Sequence, residues 1–126
     1  MSARDIEDRV RKAGELLRQG LDQDPTTMSE SVIHACYYAM FHMAFAVLLA
    51  RTGKAYFKHA SVIGQFGALA KTLDDTARAA ARDFNAAFDS RTLADYGVVR
   101  TELAAHARRV QHDAARFVPL CRRLLA

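Results

Sequence analysis

The residues most able to do chemistry are gathered in one stretch, DSRTLADYG, residues 89–97. Arg91, Asp95 and Tyr96 lie there within six positions of one another, just before Gly97. A guanidinium presents a planar fork of donors that matches a phosphate, and a phenol adds one more donor. On a helix, Arg91 and Asp95 are four apart and can also pair with each other for about 0.2–0.5 kcal/mol. Asp89 or Ser90 can cap a helix start and Gly97 can break the chain before the last helix. Phosphate recognition and a capped, ion-paired helix end therefore both account for this stretch.

A second candidate lies near the C-terminal end. Arg109, His112, Arg116 and Arg123 recur at steps of three, four and seven, with Arg108 and Arg122 beside them. Such a stripe can track a phosphate backbone by charge neutralisation. The solvated face of an amphipathic helix has the same pattern, and Asp113 interrupts this one. Other chemistries find little support. The five histidines, His34, His42, His59, His106 and His112, include no pair three or four apart, and there is no Cys-x-x-Cys. A metal site is not indicated. His34, Tyr38 and His42 do follow one another at steps of four, and read as buried or half-buried polar groups bonded within the fold. No Gly-x-Ser-x-Gly elbow is present, and the six glycines are scattered singly, so neither a serine nucleophile nor a phosphate-cradling loop is expected. No cofactor is called for.

The elements that must position these residues are helical. The chain has 126 residues, 51% of them apolar, with two prolines. That length supports one domain over 1–126 with a core of its own. Ile6, Val10, Ala13, Leu17 and Leu21 mark a first helix from about Arg4 to Leu21, capped by Ser2 and ended by Gly20 and DQDPTT. Thr27 and Glu30 have capping-box spacing and open a second helix that continues to about Arg51. A third helix spans about His59 to Lys71. Asp74 or Asp75 caps a fourth, carrying Ala77, Ala80, Ala81, Phe84 and Phe88. The last begins near Val98, with Val99, Leu103, Val110, Ala114, Phe117, Cys121 and Leu124 as its stripe, and Pro119 kinks or ends it. The predicted fold is all-α, an antiparallel up-and-down bundle of about five helices.

The second helix poses a question of its own. SVIHACYYAMFHMAFAVLLA, residues 31–50, runs without a formal charge for about the length that spans a bilayer. It also carries two histidines and two tyrosines, and every other helix offers an apolar face to cover it. It is read as the central helix of a bundle rather than a membrane span. The N-terminal stretch is charged where a signal peptide needs an apolar run, and Cys36 and Cys121 fall at apolar positions as a reduced pair. The expected compartment is the cytoplasm. A net charge of +4 favours polyanionic partners only mildly.

Three blocks taken together, HACYYAMFHMAFAVLL, KHASVIGQF and RTLADYG, with Ala114 to Phe117 in the last helix, resemble the HEPN superfamily in its small stand-alone prokaryotic branch. The resemblance covers roughly Met28 to Leu125. It implies a helical homodimer that acts with a minimal nucleotidyltransferase, often as a toxin with its antitoxin. It also implies a metal-independent ribonuclease in active members, whose signature is an arginine followed after four to six residues by a histidine. Arg91 matches that arginine, but Tyr96, Gly97 and Val98 stand where the histidine belongs. Arg100 and His106 have the motif's spacing but lie inside the last helix, pointing in different directions. The resemblance thus favours a module that binds RNA or nucleotide beside its partner. The alternative is a ribonuclease using Arg91 with Asp95 and Tyr96. Tyr96 also lies near the tyrosine that the partner modifies with AMP in some relatives.

Overall fold

A computed structural model describes residues 3–97 and 100–126, without the side chains of residues 100 and 101. Five helices follow in order: α1 (Ala3–Asp22), α2 (Ser29–Thr52), α3 (His59–Lys71), α4 (Asp75–Asp95) and α5 (Arg100–Leu124). No strand occurs among the described residues. The architecture is the expected all-α bundle. Ser2, Val98 and Val99, named above for a cap, a helix start and a core position, lie outside the described residues.

The bundle is organised around α2, which packs against all four other helices. Its composition leaves no alternative in water. A 24-residue helix whose only charges, Glu30 and Arg51, sit at its ends has no polar face to turn outward. It is long and apolar enough to cross a membrane, yet 83% of its apolar window is buried inside the bundle. Val32, Ile33, Cys36, Tyr37, Met40, Met43, Ala44 and Val47 have no exposed surface. α5 contributes the regular stripe Leu103, Ala107, Val110, Ala114, Phe117 and Cys121, all buried. Phe66, Phe84 and Phe117 bring α3, α4 and α5 together with ring centres 5.2–6.0 Å apart. Both cysteines are buried free thiols, and burial raises the pKa of each.

Several local expectations are corrected. Gly20 does not end α1; it lies inside the helix and is buried where Leu21, 44% exposed, was expected. The reason is close approach: a Cβ at Gly20 would stand 2.4 Å from Cys36 Sγ and 3.3 Å from the Cys36 amide nitrogen. The Thr27–Glu30 capping box does not form. Instead Asp24 Oδ1 accepts from the Thr26 amide at 2.8 Å, and Ser29 Oγ donates to the Pro25 carbonyl at 2.6 Å. This turn delays the helix to Ser29, with Met28 at the cap position and no side-chain cap bond. Asp74 does cap α4, accepting from the Ala77 amide. Pro119 does not end α5, which runs on to Leu124.

The largest correction concerns residues 89–97, which do not start a helix. They are the last turns of α4, closed by Tyr96, whose amide donates to the Thr92 carbonyl at 3.1 Å, and by Gly97 at φ +82°. Such a left-handed φ favours glycine. Ser90 is no cap because its hydroxyl is engaged sideways with α5, as described below.

Two measurements check this packing. Gly20→Ala is expected to destabilise by about 1–2 kcal/mol, the cost of overpacking less the gain in helix propensity. Gly64→Ala, where a Cβ meets nothing within 4 Å, is expected to stabilise instead, by about 1 kcal/mol. Denaturant melts of the two variants should move in opposite directions. The second check is pH. Arg9 Nη1 donates to His42 Nδ1 at 3.0 Å, and burial, Arg9 and Lys12 together lower the His42 pKa from 6.5 to about 4. The unfolded chain therefore binds the proton first, and stability falls as pH drops from about 6.5 to about 4. Substituting His42 by Gln is expected to flatten that part of the stability curve.

Candidate functional site

Arg91 leaves α4 with a side chain only 25% exposed, and its guanidinium lies against α2. The Cζ atom is 5.9 Å from the Tyr37 ring centre and 5.6 Å from that of Tyr38. Cation–π attraction at this range favours the charged fork where it is and costs it little hydrogen-bonding capacity. Asp95 approaches as expected, Oδ2 to Arg91 Nε 3.0 Å, one turn further along α4. The contact is an ion pair rather than an aligned hydrogen bond. Arg91 Nε is buried and has no hydrogen-bond partner among the described residues. A buried donor left open in this way is costly unless something outside the chain completes it.

What lies in front of Arg91 is a cleft of about 540 Å³. It is lined by the 26–28 turn, by the first turns of α2 as far as His34, by Arg91, Ala94 and Asp95 of α4, and by Leu103 of α5. The failed capping box matters here, because Thr27 and Glu30 are left exposed in the cleft wall. Hydroxyls, two carboxylates, an imidazole and one guanidinium thus face a space large enough for a nucleotide-sized ligand.

Behind Arg91 is an aromatic cluster that the sequence did not single out as a site. His59, the first residue of α3, stacks on Phe41 at 4.5 Å and on Tyr37 at 5.6 Å, and meets Tyr38 edge-on at 5.6 Å. Its Nδ1 shares a 2.5 Å hydrogen bond with the Tyr37 hydroxyl. Burial lowers the His59 pKa and the Arg91 charge lowers it further. Burial raises that of Tyr37, the Tyr38 phenol adding to the rise and Arg91 opposing it. On the cleft side, His34 is exposed and lies 4.6 Å from the Tyr38 ring. His34, Tyr38 and His42 share a stripe, but only Tyr38 and His42 are half-buried. His42 faces α1, and its Arg9 partner stacks on Phe45.

Tyr96 is not drawn into this arrangement. It is 83% exposed at the C-terminal cap of α4. The basic stripe of α5 lies at the surface, and two of its four members are engaged by partners within the chain. Arg109 Nη2 donates to Ser90 Oγ at 2.6 Å and lies 3.2 Å from His106 Nδ1, and the fully buried Ser90 hydroxyl is 2.8 Å from that same nitrogen. Arg116 is held by Asp83 at 3.2 Å and Asp113 at 3.3 Å. His112, beside Asp113, and Arg123 are exposed. Among the described residues, no group of three or more His, Cys, Asp or Glu side chains is arranged to hold a metal.

The chain matches the HEPN domain model over residues 6–125. It belongs to the HEPN family. The match takes in α1, beyond the stretch whose blocks carry the resemblance, and it contains every residue of the Arg91 cluster. A comparison with curated proteins finds no match. The three HEPN-like blocks supply Tyr37 and Tyr38, His59, and Arg91 with Asp95. Distant in sequence, they meet around the Tyr38 ring.

The electrostatic link between Arg91 and His59 is open to test. Imidazole NMR titration of Arg91→Ala should show the His59 pKa rising relative to wild type. It should stay below the ordinary histidine value, because burial is the larger cause. An unchanged pKa would mean the two groups do not sense each other.

Proposed function

We propose that this HEPN protein is a dimeric module that holds RNA or nucleotide phosphate at Arg91 and acts beside a minimal nucleotidyltransferase in a toxin–antitoxin-type pair. The observation that carries the binding part is the Arg91 guanidinium, which lines the cleft backed by two tyrosine rings, with Asp95 beside it but no aligned hydrogen bond at Nε. A phosphate oxygen would complete the buried Nε donor and compete with Asp95 for the guanidinium. Glu30 and Asp95 in the cleft walls disfavour a run of phosphates and suit the donor edge of a base next to one phosphate. The exposed His112 and Arg123 of α5 serve as an accessory surface, and Arg109 and Arg116, also exposed, would have to leave partners within the chain to join them.

The homodimer, the nucleotidyltransferase partner and the cytoplasmic setting rest on family membership. Tyr96, fully at the surface, is open to modification by that partner. Cleavage that relies on Asp95 and Tyr96 gains less support: Asp95 is committed to Arg91, and Tyr96 turns to solvent.

Fluorescence anisotropy with a labelled single-stranded RNA, in EDTA and at several salt concentrations, tests the reading. Arg91→Ala should weaken binding about tenfold or more, as the loss of a charge-assisted, bidentate contact requires. Arg91→Lys should restore little, since a point charge cannot reproduce the fork. Binding equal in all three proteins would place the RNA elsewhere.

A further inference from the structure

Glu30, His34 and Tyr38 recur at steps of four along α2 and so share one stripe of that helix. Tyr38 meets Arg91, whose Cζ is 5.6 Å from its ring centre, and the His34 ring is 4.6 Å from the same ring. Glu30 stands two turns from Tyr38, roughly 12 Å along the axis. Glu30, His34 and Arg91 all line the cleft. The stripe therefore runs from a carboxylate, past an imidazole, to a guanidinium. Asp95 is paired with Arg91, whereas Glu30 is exposed and has no partner among the described residues. The helix dipole accounts for an acid in the first turn of α2. It does not account for an unpaired carboxylate in the wall of a cleft that an arginine also lines.

We infer that the cleft is selective for guanine, with Glu30 reading the base while Arg91 holds the phosphate. This rests on the reading that Arg91 binds RNA or nucleotide phosphate, and it names the nucleotide. Guanine is the one common RNA base with two adjacent donors on its pairing edge, the ring N–H and the exocyclic amino group. A carboxylate has two acceptor oxygens side by side and can take both. Adenine and cytosine each set one amino donor beside a ring nitrogen that accepts. Uracil sets one N–H between two carbonyls. Against any of these three, a carboxylate oxygen is turned toward another lone pair after losing its water.

The rest of the cleft suits this placement. Asp95 is held by Arg91, so Glu30 is the carboxylate free to meet a base. Its charge repels a phosphate, which directs the phosphate to the arginine end and fixes the orientation of the ligand. Met28, 49% exposed and in the same lining, offers a flexible apolar side chain to the face of a base. A volume of about 540 Å³ is in the range of small-ligand sites.

The test measures binding of GMP, IMP, AMP, CMP and UMP to the full chain by calorimetry. Wild type should prefer GMP over AMP, CMP and UMP by about tenfold or more, the discrimination a bidentate pair supplies. IMP, which keeps the ring N–H and lacks the amino group, should fall between. Glu30→Gln keeps the shape and exchanges one acceptor for a donor. It should weaken GMP about tenfold, leave AMP no weaker, and so remove the preference. Glu30 is exposed and unpaired, so this variant should fold as wild type does. Arg91→Ala should weaken all five ligands together and leave their ranking unchanged. Arg91-dependent binding with no preference among bases, a preference for another base, or a guanine preference that survives Glu30→Gln would each overturn the inference and leave the phosphate reading standing. Absence of Arg91-dependent binding would overturn both.

Discussion

The structure depends on one constraint: a 24-residue helix with no polar face must be taken out of water. α2 satisfies it by accepting contacts from every other helix, and the remaining four close around it by packing on one another as well. Burial of this kind has no direction of its own, and the register comes from small features. Gly20 lets α1 approach Cys36 to within backbone contact, and three phenylalanines interlock α3, α4 and α5. A larger residue at Gly20 would push α1 off the helix that the whole bundle shares.

The candidate site follows from the few places where α2 is not purely apolar. Tyr37 and Tyr38 belong to the core by their rings and to the site by what those rings support. Tyr37 is buried, stacks with Phe84 and still reaches His59 with its hydroxyl. Tyr38 holds His34 on one side and Arg91 and His59 on others. Positioning groups on rigid helices rather than loops gives them fixed separations. The same architecture explains why the α5 arginines are poorer candidates. Arg109 and Arg116 tie α5 to α4, through Ser90 and Asp83, and so hold the wall of the cleft in place.

Much of the fold was legible because its signals are local. The apolar stripe of α5 and the bounds of α3 follow from helical period alone, and Asp74 caps where its chemistry allows. The errors arose where tertiary contacts override local rules. Gly20 reads as a stop signal, but its purpose is a close approach visible only with α2 in place. Ser90 reads as a cap, but Arg109 and His106 of α5 claim its hydroxyl. Thr27 and Glu30 have the right spacing, but Asp24 and Pro25 set the turn first. Of the site, Arg91 and its pairing with Asp95 were legible, being four residues apart on one helix. Tyr37, His34 and His59 were visible as residues but not as neighbours of Arg91. Residues separated by 22 to 57 positions converge only through the packing of α2, α3 and α4. The one available sign was that they occur in the three blocks resembling the HEPN family.

The central claim is that Arg91, not the basic face of α5, receives the phosphate. Its most direct test follows the arginine Nε–H and histidine ring signals by NMR while a nucleoside monophosphate is added. The account predicts one saturable site, with the Arg91 Nε–H moving most as its buried donor gains a partner, His34 moving with it, and both responses lost in Arg91→Ala. Shifts confined to Arg116, Arg123 and His112, with Arg91 unmoved, would contradict it.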